Sequence, residues 1–213
     1  VGDFQWRIGG KAPCAPEPVD DHALWSEKGC VPDRIEPAKS GRAGCRGCGR
    51  AISRGELRFG EALPNLFGEG ESTFWYHLVC AACMRPEKLG PLLDMPAGEP
   101  LPEAAWLRRT VSLGLAHRRL PRLARAERAP SGSAHCRQCR ESIGKGSWRL
   151  ALQMFEEGRM QPIGTIHVQC AGAYFGTSDI LDRIERLTEG LTSDASDELQ
   201  RLLGEPPTQA AQL

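Results

Sequence analysis

Apolar and polar positions along this chain group into short stretches, and few are long enough to build a large element. Glu56-Leu-Arg-Phe59 and Ser72-Thr-Phe-Trp-Tyr76 combine β-branched and aromatic residues in runs of strand length. After Pro102, the run Ala104, Ala105, Trp106, Leu107 opens a helical pattern whose arginine-rich continuation is interrupted by Pro121. Ile180, Leu181, Ile184 and Leu187 recur at helical spacing behind Ser178, a candidate N-cap. Ser196 is a candidate cap for a last helix carrying Leu199, Leu202 and Leu203. The pattern predicts an α+β protein of small modules with short antiparallel strands, joined and followed by α-helices. Its expected boundaries are an irregular segment over 1–36, a module over 37–90, a linker with an Arg-rich helix over 91–130, a second module over 131–176, and C-terminal helices with a tail over 177–213.

Composition sharpens this picture. The chain has 24 Gly and 16 Pro but only 13 aromatic residues (Phe 6, Trp 5, Tyr 2) among 213 positions. Modules with such thin cores need a staple, either disulfides or metal. Nine cysteines could supply either. The opening Val-Gly-Asp-Phe-Gln-Trp lacks a basic region followed by an apolar run, and no stretch has the roughly 18 apolar residues of a membrane span. A reducing interior is therefore expected, in the nucleus or in the bacterial cytoplasm and nucleoid, where Cys-x-x-Cys reads as a metal-ligand pair.

The cysteines form a repeat. One block reads Cys45-x2-Cys48-x28-His77-x2-Cys80 and the other Cys136-x2-Cys139-x27-His167-x2-Cys170. Each has Ile four residues after its second Cys (Ile52, Ile143), Gly at plus seven (Gly55, Gly146) and Arg at plus ten (Arg58, Arg149). Zinc takes four N and S ligands in a tetrahedron, and a Cys-x-x-Cys turn points two thiolates at one ion. The expectation is two Zn2+ per chain, held by Cys45, Cys48, His77, Cys80 and by Cys136, Cys139, His167, Cys170. Four protein ligands close each coordination sphere, so both sites read as structural. Cys83 reads as a spare buried thiol, and Cys14, His22 and Cys30 lack a nearby partner pair.

Net charge is zero, yet the charges are segregated. Lys39, Arg42, Arg46, Arg50, Arg54 and Arg58 face only Glu56 across their stretch, and seven arginines between Ala104 and Pro130 face only Glu127. Thr177 to Glu205 holds eight acids against three arginines. Fields are screened beyond about 10 Å, so a polyanion senses the local excess.

The run Ala38-Lys-Ser-Gly-Arg-Ala-Gly-Cys45-Arg-Gly-Cys48, with Ile52, Gly55-Glu-Leu-Arg58 and Phe74-Trp-Tyr-His77-Leu-Val-Cys80, closely resembles the PARP-type zinc finger. That finger occurs in poly(ADP-ribose) polymerase and in a nick-sensing DNA ligase. The resemblance covers about 50 residues and implies recognition of DNA nicks and ends without sequence reading. It implies that Lys39, Arg42 and Arg58 meet phosphates. It also implies that Leu66 and Phe67 stack on an exposed base pair, although Phe67 has a second reading inside the finger's own core. The second block is degenerate: Pro130 and Ser133 stand where the first has Lys39 and Arg42, and Thr165-Ile166 replaces Trp-Tyr. Arg149 is retained there as a DNA-contact candidate, and Met160 and Ile163 as a candidate apolar tip. The leading reading is a non-catalytic DNA-binding module, acting with a repair protein. The alternative is a zinc-stabilised protein-interaction module. The sequence shows no Walker loop, ligase-type lysine motif or nucleotide fold that would mark an enzyme.

Overall fold

The computed structural model describes residues 32–65, 70–95, 100–156 and 158–205. Within them one architecture occurs twice, three antiparallel strands followed by three helices. The first copy comprises β1 (Arg34–Pro37), β2 (Leu57–Pro64), β3 (Glu71–His77), α1 (Leu78–Met84), α2 (Pro86–Leu93) and α3 (Ala104–Ala116). The second comprises β4 (Leu123–Arg128), β5 (Trp148–Glu156), β6 (Arg159–His167), α4 (Ala171–Phe175), α5 (Leu181–Leu187) and α6 (Ser193–Gly204), with a 3-10 turn over Val168–Cys170 leading into α4. The sheets run β1-β2-β3 and β4-β5-β6, every neighbour antiparallel. This is the expected α+β class of zinc-binding modules.

Each sheet buries one face under its helices. In the first copy Ile52, Phe59, Tyr76, Leu89 and Leu107 are fully enclosed; in the second Ile143, Leu150, Ile166, Val168, Ile184 and Leu199 are. Alternation along β2 and β3 puts Phe59 opposite Tyr76 on the core face, with their ring centroids 6.0 Å apart.

Several elements differ from the sequence expectation. Arg34–Pro37, in a stretch that lacks periodicity, pairs with β2 as an edge strand, and Leu123–Arg128, inside the expected linker, pairs with β5. Neither has a strong strand pattern of its own, and the cross-strand ladder supplies the order. The helix over Ala104–Ala116 is no spacer, because Leu107 and Val111 enter the first core. Ile180 rather than Ser178 stands at the cap position of α5, and Thr192 rather than Ser196 caps α6, accepting from the Ala195 amide at 3.3 Å. Ser196 bonds instead to Glu185 on α5.

The two copies pack on each other. Phe155 and Met160, near the β5–β6 turn, lie against the first core, and Arg85 stacks on Phe155 at 4.1 Å. Gly158, at φ +76°, seats the turn under Phe74, where a Cβ would come within 2.9 Å of Phe74 Cζ. From α5, the buried Arg183 donates to the carbonyls of Cys83 and Thr110 at 3.1 and 2.9 Å.

Candidate zinc centres and nucleic-acid interface

Each Cys-x-x-Cys sits in a tight turn tied to the last strand of its sheet. The Cys45 amide donates to Arg50 O at 2.7 Å, and the Arg46 amide to Trp75 O at 2.8 Å. The second turn repeats this, with Cys136 to Glu141 O at 2.8 Å and Arg137 to Thr165 O at 2.9 Å. The last strand ends at His77 or His167, and the turn of helix that follows brings Cys80 or Cys170 around to the same point.

The donor atoms of each quartet all lie within 4.8 Å of one another. Nδ1 of His77 is 3.4 Å from Cys48 Sγ and 3.9 Å from Cys80 Sγ; Nδ1 of His167 is 3.4 Å from Cys139 Sγ and 4.0 Å from Cys170 Sγ. A tetrahedron with Zn–S near 2.3 Å and Zn–N near 2.0 Å has edges of roughly 3.5–3.8 Å, so both quartets fit zinc. The imidazoles are oriented from behind. His77 Nε2 lies 3.3 Å from Ala51 O and His167 Nε2 3.2 Å from Ser142 O, which places the proton on Nε2 and turns Nδ1 inward. Backbone amides support the thiolates too: those of His77 and His167 point at Cys45 and Cys136 Sγ, each at 3.4 Å.

The electrostatics call for a cation. Hydrogen bonds from Cys45 and Cys80 push the Cys48 thiol down, while hydrogen bonding to Cys45 and Cys48 pushes Cys80 up. Hydrogen bonds to Cys45 and Cys48 hold His77 up at about 10. In the second quartet burial opposes ionisation of Cys136, but backbone amides of Cys139, His167 and Gln138 outweigh it and the thiol falls. Cys170 rises to about 12 through burial and the Cys136 charge. Sulfurs this close cannot all ionise unaided, and a divalent cation discharges them. Each cluster can hold one zinc ion, and four protein donors leave no open position on it.

The DNA-contact candidates are less uniform. Lys39 and Arg42 lie exposed on the turn between β1 and the first knuckle, with no ion pair among the described residues. Arg58, the third phosphate candidate, is 6% exposed. Its Nη2 donates to Glu36 at 2.7 Å, and its guanidinium lies 3.4 Å from the centroid of Trp75. Arg149 is engaged likewise, donating from Nε to Glu127 at 2.9 Å. Arg34 and Arg125 complete each set, both donating to the other carboxylate oxygen at 3.0 Å. These Arg-Glu-Arg sets were missed by sequence reasoning, yet the signal was there: Glu36 and Glu127 each precede their first zinc Cys by nine residues (45 − 36 and 136 − 127).

Leu66 and Phe67 lie outside the described residues, as do Cys14, His22 and Cys30. The Asn65 amide donates to Gly70 O at 3.0 Å. The alternative apolar tip is not free in the second copy. Met160 is packed at the junction of the two copies, and Ile163 against the second core. Cys83 is fully buried, and burial pushes its thiol up to about 11.

Two Cys3His centres, each stapling a three-stranded sheet to the helix behind it, define a zinc-finger protein. Residues 36–109 match the family described as the Poly(ADP-ribose) polymerase and DNA-Ligase Zn-finger region, and this stretch carries a finger of that type. The second centre, at Cys136, Cys139, His167 and Cys170, is a degenerate copy of the same pattern. The chain is 26% identical to Poly [ADP-ribose] polymerase 1 of Gallus gallus over 155 residues, 64% of this chain and 15% of that protein. It is 27% identical to Poly [ADP-ribose] polymerase of Sarcophaga peregrina over 196 residues, 81% of this chain and 20% of that protein. The chain thus spans a fifth or less of the length of these relatives. Among the described residues no helix is long and apolar enough to cross a membrane.

Proposed function

We propose that this protein binds DNA at nicks and ends, without reading sequence, chiefly through its first finger. The observation that carries this reading is the placement of Lys39 and Arg42. Both stand exposed on the turn that enters the first zinc knuckle, and neither is tied to a carboxylate among the described residues. The zinc and the Ala38 amide on Glu56 O, at 2.9 Å, hold that turn on a fixed frame. Cations on a preorganised frame meet phosphates with little ordering cost. The match of residues 36–109 to the zinc-finger region of poly(ADP-ribose) polymerases and DNA ligases supports the same partner. The stacking role is given to Leu66 and Phe67, which follow β2 in the sequence and lie outside the described residues.

Competition separates this from general DNA affinity. Zinc-loaded protein bound to nicked duplex is challenged with nicked or covalently closed circles at several salt concentrations. Nicked circles should compete at least tenfold better, and Lys39→Glu with Arg42→Glu should weaken binding and reduce the salt slope by about two. Equal competition by closed circles removes break recognition and leaves a duplex binder.

The alternative is a zinc-stabilised interaction module, within a repair assembly or another. Burial of Arg58 and pairing of Arg149 favour it, because two of the arginines that the sequence offered to phosphate are already committed to Glu36 and Glu127. Zinc-loaded protein that ignores every DNA at low salt while retaining one protein partner would establish it.

A further inference from the structure

The second zinc knuckle contains a backbone conformation that the first one avoids. The residue after Cys48 is Gly49 at φ +77°; the residue after Cys139 is Arg140 at φ +70°. The two knuckles are otherwise alike: the amide of each of these residues donates to the carbonyl of the first Cys of its knuckle, Gly49 to Cys45 at 2.8 Å and Arg140 to Cys136 at 2.9 Å. Left-handed backbone is free for glycine and strained for an L side chain, and glycine demonstrably serves this turn in the first copy. Among the described residues only Glu103 and Arg140 are non-glycine residues with positive φ, and Glu103 is engaged by Arg186 at 2.8 Å. Arg140 is exposed, and no ion pair holds it among the described residues, not even with its neighbour Glu141. Strain retained for an exposed side chain that no hydrogen bond or ion pair holds among the described residues points to an external partner.

A second observation lies on the same turn. Arg137 is exposed but its stem is seated. Its Nη1 donates to the Ile163 carbonyl, and its Cδ lies over Gly164, where a Cβ would approach within 2.8 Å. Its counterpart Arg46 is seated over Phe74, the residue at the same distance before the zinc histidine, at 4.7 Å from the ring centroid. Position 137 therefore presents a guanidinium in a fixed place, with Nε and Nη2 left over for a ligand. The loss of Lys39 and Arg42 counterparts in this copy, where Pro130 and Ser133 stand, removes the cations of the entry turn but not those of the knuckle.

We propose that Arg137 and Arg140 form a phosphate clamp on the second zinc knuckle, through which the degenerate finger grips the DNA backbone. The clamp rests on the DNA-binding reading above and extends it to the second copy by a different part of the module. It is sequence-blind, as two guanidiniums on one rigid turn meet phosphodiester oxygens and no base edge.

Arg140→Gly gives the proposal a signature that a structural arginine cannot mimic. It removes the charge and relieves the backbone, so stability and affinity should move in opposite directions. The variant should unfold about 2–4 °C higher. It should also bind nicked duplex about three- to tenfold more weakly, with the salt slope lowered by about one. Arg137→Gln, which removes the cation, should weaken binding similarly, and the double variant should lower the slope by about two. All are measured on the full chain with two zinc ions verified. If both variants bind as wild type does while Lys39→Glu weakens binding, the clamp is overturned and DNA binding by the first finger stands. If the wild type itself ignores DNA, the underlying reading fails and the clamp with it. If the variants instead lose an acidic protein while keeping DNA, the knuckle serves that partner and the clamp is overturned.

Discussion

Arg58 donates through Nη2 to Glu36 Oε1 at 2.7 Å across the β1–β2 ladder, and Arg149 meets Glu127 in the same register across β4–β5. The two ion pairs are one feature copied, and they pin the edge strand of each sheet. Burial opposes the charge on Glu36, but the hydrogen bonds from Arg58 and Arg34 outweigh it, holding the carboxyl below its ordinary range. Glu127 is depressed in the same way, burial being outweighed by Arg149 and Arg125.

Glu36→Gln should therefore destabilise the first module by about 2–4 kcal/mol, because Arg58 is left buried without its counter-charge. A carboxylate depressed in the folded state stabilises above its unfolded value, near 4.3, and loses that contribution as pH falls through the folded value. The difference in unfolding between wild type and Glu36→Gln should be constant from pH 8 to 6 and shrink below about pH 4. A difference independent of pH down to 3 would show that the pair is not ionic.

Zinc content follows from the two quartets. Wild type should carry two ions per chain by atomic absorption, and Cys139→Ser should carry one. A structural zinc contributes on the order of 10 kcal/mol, so the variant should lose the cooperative order of its second module, visible as lost near-ultraviolet signal from Trp148. Retention of two tightly held ions in Cys139→Ser would contradict the quartet.

Arg183 ties the C-terminal half to the first finger. A guanidinium 4% exposed that serves the carbonyls of Cys83 and Thr110 cannot leave without stranding them. Arg183→Ala should cost about 2–4 kcal/mol, and the loss should register on the first module as faster amide exchange in α1 and α3. Exchange rates unchanged in those helices would mean that α5 merely rests on the surface.

Gly158 holds the seam between the copies. Ala there faces both a positive φ and a Cβ 2.9 Å from Phe74 Cζ. Gly158→Ala should lower the unfolding temperature by about 3–8 °C and separate the two modules into distinct transitions. A single unchanged transition would show that the seam does not couple them.

The sequence by itself determined the metal chemistry. Cysteine and histidine are the only residues able to fill these donor sets, and ligand spacing is local, so Cys45, Cys48, His77 and Cys80 and their copies could be read directly. It also marked the start of β2, most of β3 and the helix at Ala104, whose residue types declare themselves within a few positions, while residues 60–64 of β2 were not read. Tertiary structure alone decided what depends on distant partners. The arginine at plus ten reads from sequence as an available cation, yet Glu36, 22 positions earlier, claims it at 2.7 Å. The strands at Arg34–Pro37 and Leu123–Arg128 exist because a neighbour's backbone completes their hydrogen bonds, and weak local pattern could not announce them. The strain at Arg140 was equally invisible. A backbone dihedral is imposed by the closed zinc turn, and the letter Arg carries no trace of it.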